Sequence, residues 1–85
     1  MSKKKVVLFS RAACTYCGPV KESLQQLEAE GGVAIEYIDT DTPTGREQAV
    51  FLNVRSVPTV MNDTGDRKVG ETTLNEFRKW LGVYA

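Results

Sequence analysis

The sequence contains no histidine and only two cysteines among its 85 residues. Two cysteines without histidine cannot complete a closed four-ligand zinc site within one chain. They cannot build the dense disulfide framework of a small secreted fold either. A single staple over so short a loop adds little stability. The pair must therefore be explained by reactivity, by chance, or by a metal site shared between two chains. Charge of one sign is also missing, since eleven basic residues balance eleven acidic ones. A nucleic-acid surface needs a basic excess, so no nucleic-acid partner is expected. Lys3, Lys4 and Lys5 form the one basic run and read as a solubilising lead-in to the first strand. No apolar run approaches the ~20 residues of a membrane span, so no membrane partner is expected. The apolar stretch Val6 to Phe9 behind the lysines is shorter than the ~7–15 residues of a signal peptide. The chain is accordingly expected to be a mature, cytoplasmic protein.

What is present is an ordinary globular composition, with 41% hydrophobic and 26% charged residues. A chain of 85 residues has room for one domain, taken as residues 1–85. Lys5-Val6-Val7-Leu8-Phe9 is a β-branched apolar run that predicts a strand buried on both faces. From Thr15 to Glu30 the pattern turns helical, with Val20, Leu24 and Leu27 at i, i+4 and i+7, and Gly31-Gly32 stops it. Val33 to Asp39 predicts a second strand. Thr44 and Glu47 have capping-box spacing behind Pro43 and predict a helix ending near Asn53, with Ala49, Val50 and Leu52 turned inward. Pro58 to Met61 and Arg67 to Val69 predict an antiparallel hairpin around the turn Asp63 to Asp66. Thr73 and Glu76 repeat the capping-box spacing ahead of Leu74, Phe77 and Leu81, with Trp80 and Tyr84 beside them. The order β-α-β-α-β-β-α predicts an α/β fold whose first β-α-β unit is parallel.

Cys14-Thr15-Tyr16-Cys17 falls at the junction of the first strand and the first helix. Two intervening residues at a helix start bring the second sulfur within bonding reach of the first. Free backbone N–H groups and the helix dipole there favour a thiolate, which is the nucleophilic form of cysteine. Cys14 is expected at or just before the first turn and Cys17 deeper and covered. Cys14 is then the attacking thiol and Cys17 the resolving one.

These residues resemble the glutaredoxins of the thioredoxin superfamily over nearly the whole chain. Cys14-Thr15-Tyr16-Cys17 is similar to the family's Cys-Pro-Tyr-Cys, and Ser56-Val57-Pro58 to its Thr-Val-Pro. Val69-Gly70-Glu71-Thr72-Thr73 sits where the family carries a Gly-Gly-x-Asp-Asp-like turn. The resemblance implies a thioredoxin fold, with a four-stranded mixed sheet flanked by three helices and a cis peptide before Pro58. It implies a monomeric thiol–disulfide oxidoreductase with no tightly bound cofactor and no metal ligand. It further implies glutathione as the reductant and disulfide-bearing proteins, ribonucleotide reductase typically among them, as the substrates. Arg11 would pair with a glutathione carboxylate, Tyr16 would wall the sulfur, and Val57 would pair its backbone with the tripeptide. Gly70, Glu71, Thr72 and Thr73 would hold the γ-glutamyl end. Thr15 in place of the motif proline implies a second possibility, an iron–sulfur cluster bridged between two subunits. Cys17-Gly18-Pro19-Val20-Lys21 also resembles the thioredoxin Cys-Gly-Pro-Cys-Lys with valine at the second cysteine, which keeps a flavoprotein reductase in view as the electron donor. In the 14–17 register Pro19 falls inside the first helical turn, so an irregular or kinked turn is expected at Gly18-Pro19.

Overall fold

The computed structural model describes residues 3–84. Its elements are β1 (Lys4–Ser10), α1 (Cys17–Ala29), β2 (Val33–Asp39), α2 (Pro43–Phe51), β3 (Thr59–Met61), β4 (Arg67–Val69) and α3 (Leu74–Leu81). The strands form one four-stranded sheet in the order β2-β1-β3-β4. β1 pairs parallel with β2 along its whole length and antiparallel with β3 from Val7–Met61 to Phe9–Thr59. β3 and β4 form the antiparallel hairpin. The mixed sheet, the three helices and their order are those predicted. Among the described residues no helix is long and apolar enough to cross a membrane.

Alternation along β1 divides the core in two. Val6 and Leu8 face α1 and α3, and are buried with Val20, Leu24, Leu27, Val33, Val60, Phe77 and Leu81. Phe9 faces the other way, against Ile38 of β2 and Ala49 of α2. Burying each large side chain of this kind contributes roughly 1.5–3 kcal/mol before the cost of ordering it. β1 therefore carries apolar residues on both faces, as a central strand must.

Three helix boundaries differ from the sequence reading, each for a local reason. α1 begins at Cys17, two residues later than expected, with Tyr16 as its N-cap and Val20 N–H to Tyr16 C=O (3.1 Å) as its first bond. Pro19 is the third helical residue, where no donor is required, so the turn needs no kink. α2 is capped by Thr42, not Thr44: Thr42 Oγ1 accepts from Gly45 N–H (3.0 Å), and Pro43 takes the first helical position. That start rotates the helix. Gly45 and Ala49, one turn apart, face the sheet, whereas Val50 is 74% exposed and Leu52 also lies on the surface. A Cβ on Gly45 would run into the Asp39 carbonyl, so glycine is what lets α2 sit against the end of β2. α2 ends at Phe51 rather than near Asn53, because Asn53 turns left-handed (φ 59°) and Val54 N–H returns to Ala49 C=O (2.7 Å). β3 starts at Thr59, one residue after the expected Pro58. The capping box of α3 is as read: Thr73 Oγ1 accepts from Glu76 N–H and the Glu76 carboxylate accepts from Thr73 N–H.

Two carboxylates are bound into this frame. The Arg78 guanidinium grips Glu30 with two hydrogen bonds, 2.8 and 2.9 Å, and holds its carboxyl below the ordinary glutamate value of 4.5. Thr73 backbone and hydroxyl do the same for Glu76. Carboxyls with a depressed folded-state pKa contribute stability above their unfolded value and lose it as pH falls through the folded one. Thermal stability is therefore expected to drop as pH is taken below 4.5. Glu30→Gln should flatten part of that drop in a melting series against pH, and an unchanged pH profile would contradict the assignment.

Candidate active site

The site forms where β1 ends. Residues 11–16 leave Ser10, cross the end of the sheet and enter α1 at Cys17. Cys14 and Cys17 are joined in a disulfide with their Cα atoms 5.4 Å apart, inside the ordinary range for such a bridge. Their exposure differs. Cys14 is half-buried, whereas Cys17 is 7% exposed and belongs to the apolar face of α1 with Val20, Leu24 and Leu27.

The loop into β3 is fixed next. The Val57–Pro58 bond is cis, as the resemblance implied. Pro58 is buried, and its carbonyl accepts from Gly70 N–H (2.9 Å). Thr59 is buried too and donates its hydroxyl to Ser56 C=O (2.7 Å). Among the described residues neither backbone polar group of Val57 has a protein partner. Arg67 reaches across from β4 and donates to the carbonyls of Leu52 (3.0 Å) and Asn53 (3.3 Å). A cation at these terminal carbonyls offsets the dipole of α2 and ties the start of the loop to the hairpin.

Two cavities share Arg11, and the cysteine pair lines one of them. One, of about 480 Å³, is lined by both cysteines together with Lys21, Tyr37 and Asp39. The other, about 240 Å³, is lined by Arg11, Arg46, Arg55, Ser56 and Val57, with Val50 and Val54. Arg11 pairs with Asp41 at 3.3 Å. Among the described residues neither Arg46 nor Arg55 has an acidic partner. The second cavity is thus a cluster of donors suited to a carboxylate.

The residues singled out from sequence are not all gathered. Arg11 joins Cys14 and Cys17 in one cavity and Val57 in the other. Pro58 and Gly70 are tied to each other, and Gly70 takes φ 82°, which glycine adopts freely. Tyr16 is exposed at the N-cap of α1, lining neither cavity. Glu71 is exposed. Thr72 is buried with its hydroxyl donated to Gly70 C=O (3.3 Å), and the Thr73 hydroxyl is engaged by Glu76. Arg46, Arg55, Lys21, Tyr37 and Asp39 were not anticipated. Lys21 had a signal, because i+4 from Cys17 places it one turn along the same helix face. Arg55, two residues before Val57, had a weaker one.

The sequence matches the glutaredoxin-like domain (DUF836) over residues 5–78. No curated protein sequence matches it. Several solved structures share the architecture. A malarial protein is 17% identical, with a TM-score of 0.82 over 95% of this chain and 96% of that one. Chloroplastic thioredoxin z is 22% identical, with a TM-score of 0.81 over 94% and 76%. The NTD_N/C domain of the alkylhydroperoxide reductase AhpF from Enterococcus faecalis is 23% identical, with a TM-score of 0.83 over 94% and 38%. At these identities the structures establish the thioredoxin fold.

Replacing Arg67 by Met should cost about 0.3–1 kcal/mol of stability. It should also loosen the loop that carries Val57, read as faster amide hydrogen exchange over 52–57. Unchanged exchange there would show that Arg67 does not hold the loop.

The fold, the cysteine pair at the strand–helix junction and the family match agree: this is a thioredoxin-like redox domain, and the chain belongs to the glutaredoxin-like domain family.

Proposed function

We propose that the protein is a glutathione-dependent thiol–disulfide oxidoreductase, acting on protein disulfides or glutathione mixed disulfides, with Cys14 attacking and Cys17 resolving. The unequal burial of the two sulfurs carries this reading. A substrate disulfide can approach half-buried Cys14, whereas Cys17 is covered. The Cys14 thiolate attacks one substrate sulfur, a mixed disulfide forms, and the other substrate sulfur leaves as a thiolate. Cys17 then attacks Cys14 Sγ and releases the rest of the substrate. Two glutathione molecules restore the dithiol and leave as glutathione disulfide.

Glutathione carries two carboxylates and a cysteine flanked by peptide groups. The arginine cavity supports it as reductant, because Arg11, Arg46 and Arg55 surround a space that fits a carboxylate. Val57, with its backbone groups free, supports pairing with the tripeptide as a short strand does. Tyr16 would wall the reacting sulfur. The Gly70-Glu71-Thr72-Thr73 turn, tethered to Pro58, would close the γ-glutamyl side. Its Thr72 hydroxyl is donated within the turn and its Thr73 hydroxyl caps α3, so that contribution would come from its backbone and shape. The partners on this reading are glutathione and disulfide-bearing proteins such as ribonucleotide reductase, and the working unit is a monomer without a bound cofactor.

The test is a coupled assay following NADPH. Turnover of a mixed disulfide is expected with glutathione and glutathione reductase, and not with thioredoxin reductase. The reverse result would make the protein a thioredoxin-like carrier. A coloured dimer with visible absorption would make it an iron–sulfur carrier. Cys14→Ser should abolish turnover, and residual activity would sink the assignment of the attacking thiol. In the same assay, Arg46→Glu should raise the KM for glutathione roughly tenfold with kcat little changed. An unaltered KM would remove the arginine cavity from the glutathione site.

A further inference from the structure

The cavity that holds both sulfurs has a feature that the reaction as described does not use. Cys17 is the first residue of α1 and Lys21 stands one turn later, on the same helix face. Side chains on a helix lean toward its N-terminus, so Lys21 leans over the turn that begins with Cys17. Lys21 is also pinned from the other side: its Nζ lies 5.2 Å from the centre of the Tyr37 ring on β2. Cys17, Lys21 and Tyr37 line one cavity. The charged groups facing it are Lys21 from α1, Arg11 from the loop after β1, and Asp39 from the end of β2. Arg11 is paired with Asp41, and Asp39 Oδ1 is taken by Asp41 N–H (2.9 Å). Lys21, set against an aromatic face, is the cation in the cavity without an acidic partner among the described residues, and Asp39 keeps its negative charge at the β2 side of the same cavity.

We infer that Lys21 is the positioning residue that holds its cation over Cys17 and stabilises the Cys17 thiolate in the resolving step. This rests on the redox reading of the pair and is independent of which reductant serves it. Burial opposes ionisation of a thiol, and Cys17 must ionise to react. In the resolving step Cys17 gives its proton to solvent and the thiolate attacks Cys14 Sγ. The bond between Cys14 and the substrate sulfur breaks. Its electron pair leaves on that sulfur, which takes a proton from water. The two protein thiols are oxidised to the Cys14–Cys17 disulfide and the substrate disulfide is reduced to two thiols. A nearby cation lowers the free energy of the attacking anion, and the Tyr37 ring draws that cation toward the cavity.

The experiment isolates each cysteine. In the Cys14→Ser protein, thiolate ultraviolet absorbance is followed against pH with Lys21, Lys21→Met and Lys21→Arg. The Met variant should contain about tenfold less Cys17 thiolate at a given pH below its midpoint, and the Arg variant should stay near the parent. In the Cys17→Ser protein the same Lys21→Met change should move the Cys14 titration by less than about twofold in thiolate. With both cysteines present, rapid mixing should show the second, resolving phase slowed by about tenfold in the Met variant and the first phase unchanged. An unmoved Cys17 titration, or an equal effect on Cys14, overturns the inference. Failure of the parent protein to turn over any disulfide would instead bring down the redox reading, and the titrations would still decide the role of Lys21.

Discussion

The structure depends on β1 being paired along both edges and buried on both faces. Its partners are β2 on one side and β3 on the other, and its two faces are covered by different helices. A strand so enclosed is free only at its two ends, and the cysteine pair follows the carboxyl one. Strand pairing brings the segment before β3 and the end of β2 to that same end. The Phe9–Thr59 register sets the cis Val57–Pro58 segment beside the end of β1. The Thr40 backbone and hydroxyl both donate to Ser10 C=O (2.9 and 3.2 Å), which binds the end of β2 to the same place. The chain leaving Ser10 must then turn over the sheet end, and the cysteines lie in that turn.

Electrostatics follow from the same convergence. The chain is neutral overall, yet four cations from four different segments line the two cavities that share Arg11: Arg11 itself, Lys21, Arg46 and Arg55. Asp41 answers one of them directly. Positive charge near sulfur favours the thiolate, and donors at the neighbouring cavity favour an anionic substrate. No local stretch of sequence is basic enough to announce this. The asymmetry exists only after the loop following β1, the start of the second turn of α1, the face of α2 and the loop into β3 are brought together.

How much was legible follows the same line. β1 was readable because an unbroken β-branched run has few other uses. The α3 cap was readable because Thr73 and Glu76 hold each other within one turn. The cysteine pair and Pro58 were readable as spaced motifs. The N-cap of α2 was misread because Thr42 and Thr44 both fit locally. What decides between them is Thr42 Oγ1 donating to Asp39 C=O (2.8 Å) and the close approach of Gly45 to the same carbonyl. The outward turn of Val50 is a consequence of that choice. Pro19 obstructs a helix that starts at Thr15 but not one that starts at Cys17. Arg46, Arg55 and Lys21 gain their meaning from distant partners, which spacing along the chain does not encode.

The central claim is that one fold end makes the two cysteines unequal, with Cys14 presented and Cys17 withheld. The most direct measurement is partial alkylation of the fully reduced protein at neutral pH with a limiting amount of iodoacetamide, mapped by mass spectrometry. Modification is predicted to fall first and predominantly on Cys14. Equal labelling of the two, or preference for Cys17, would contradict the account.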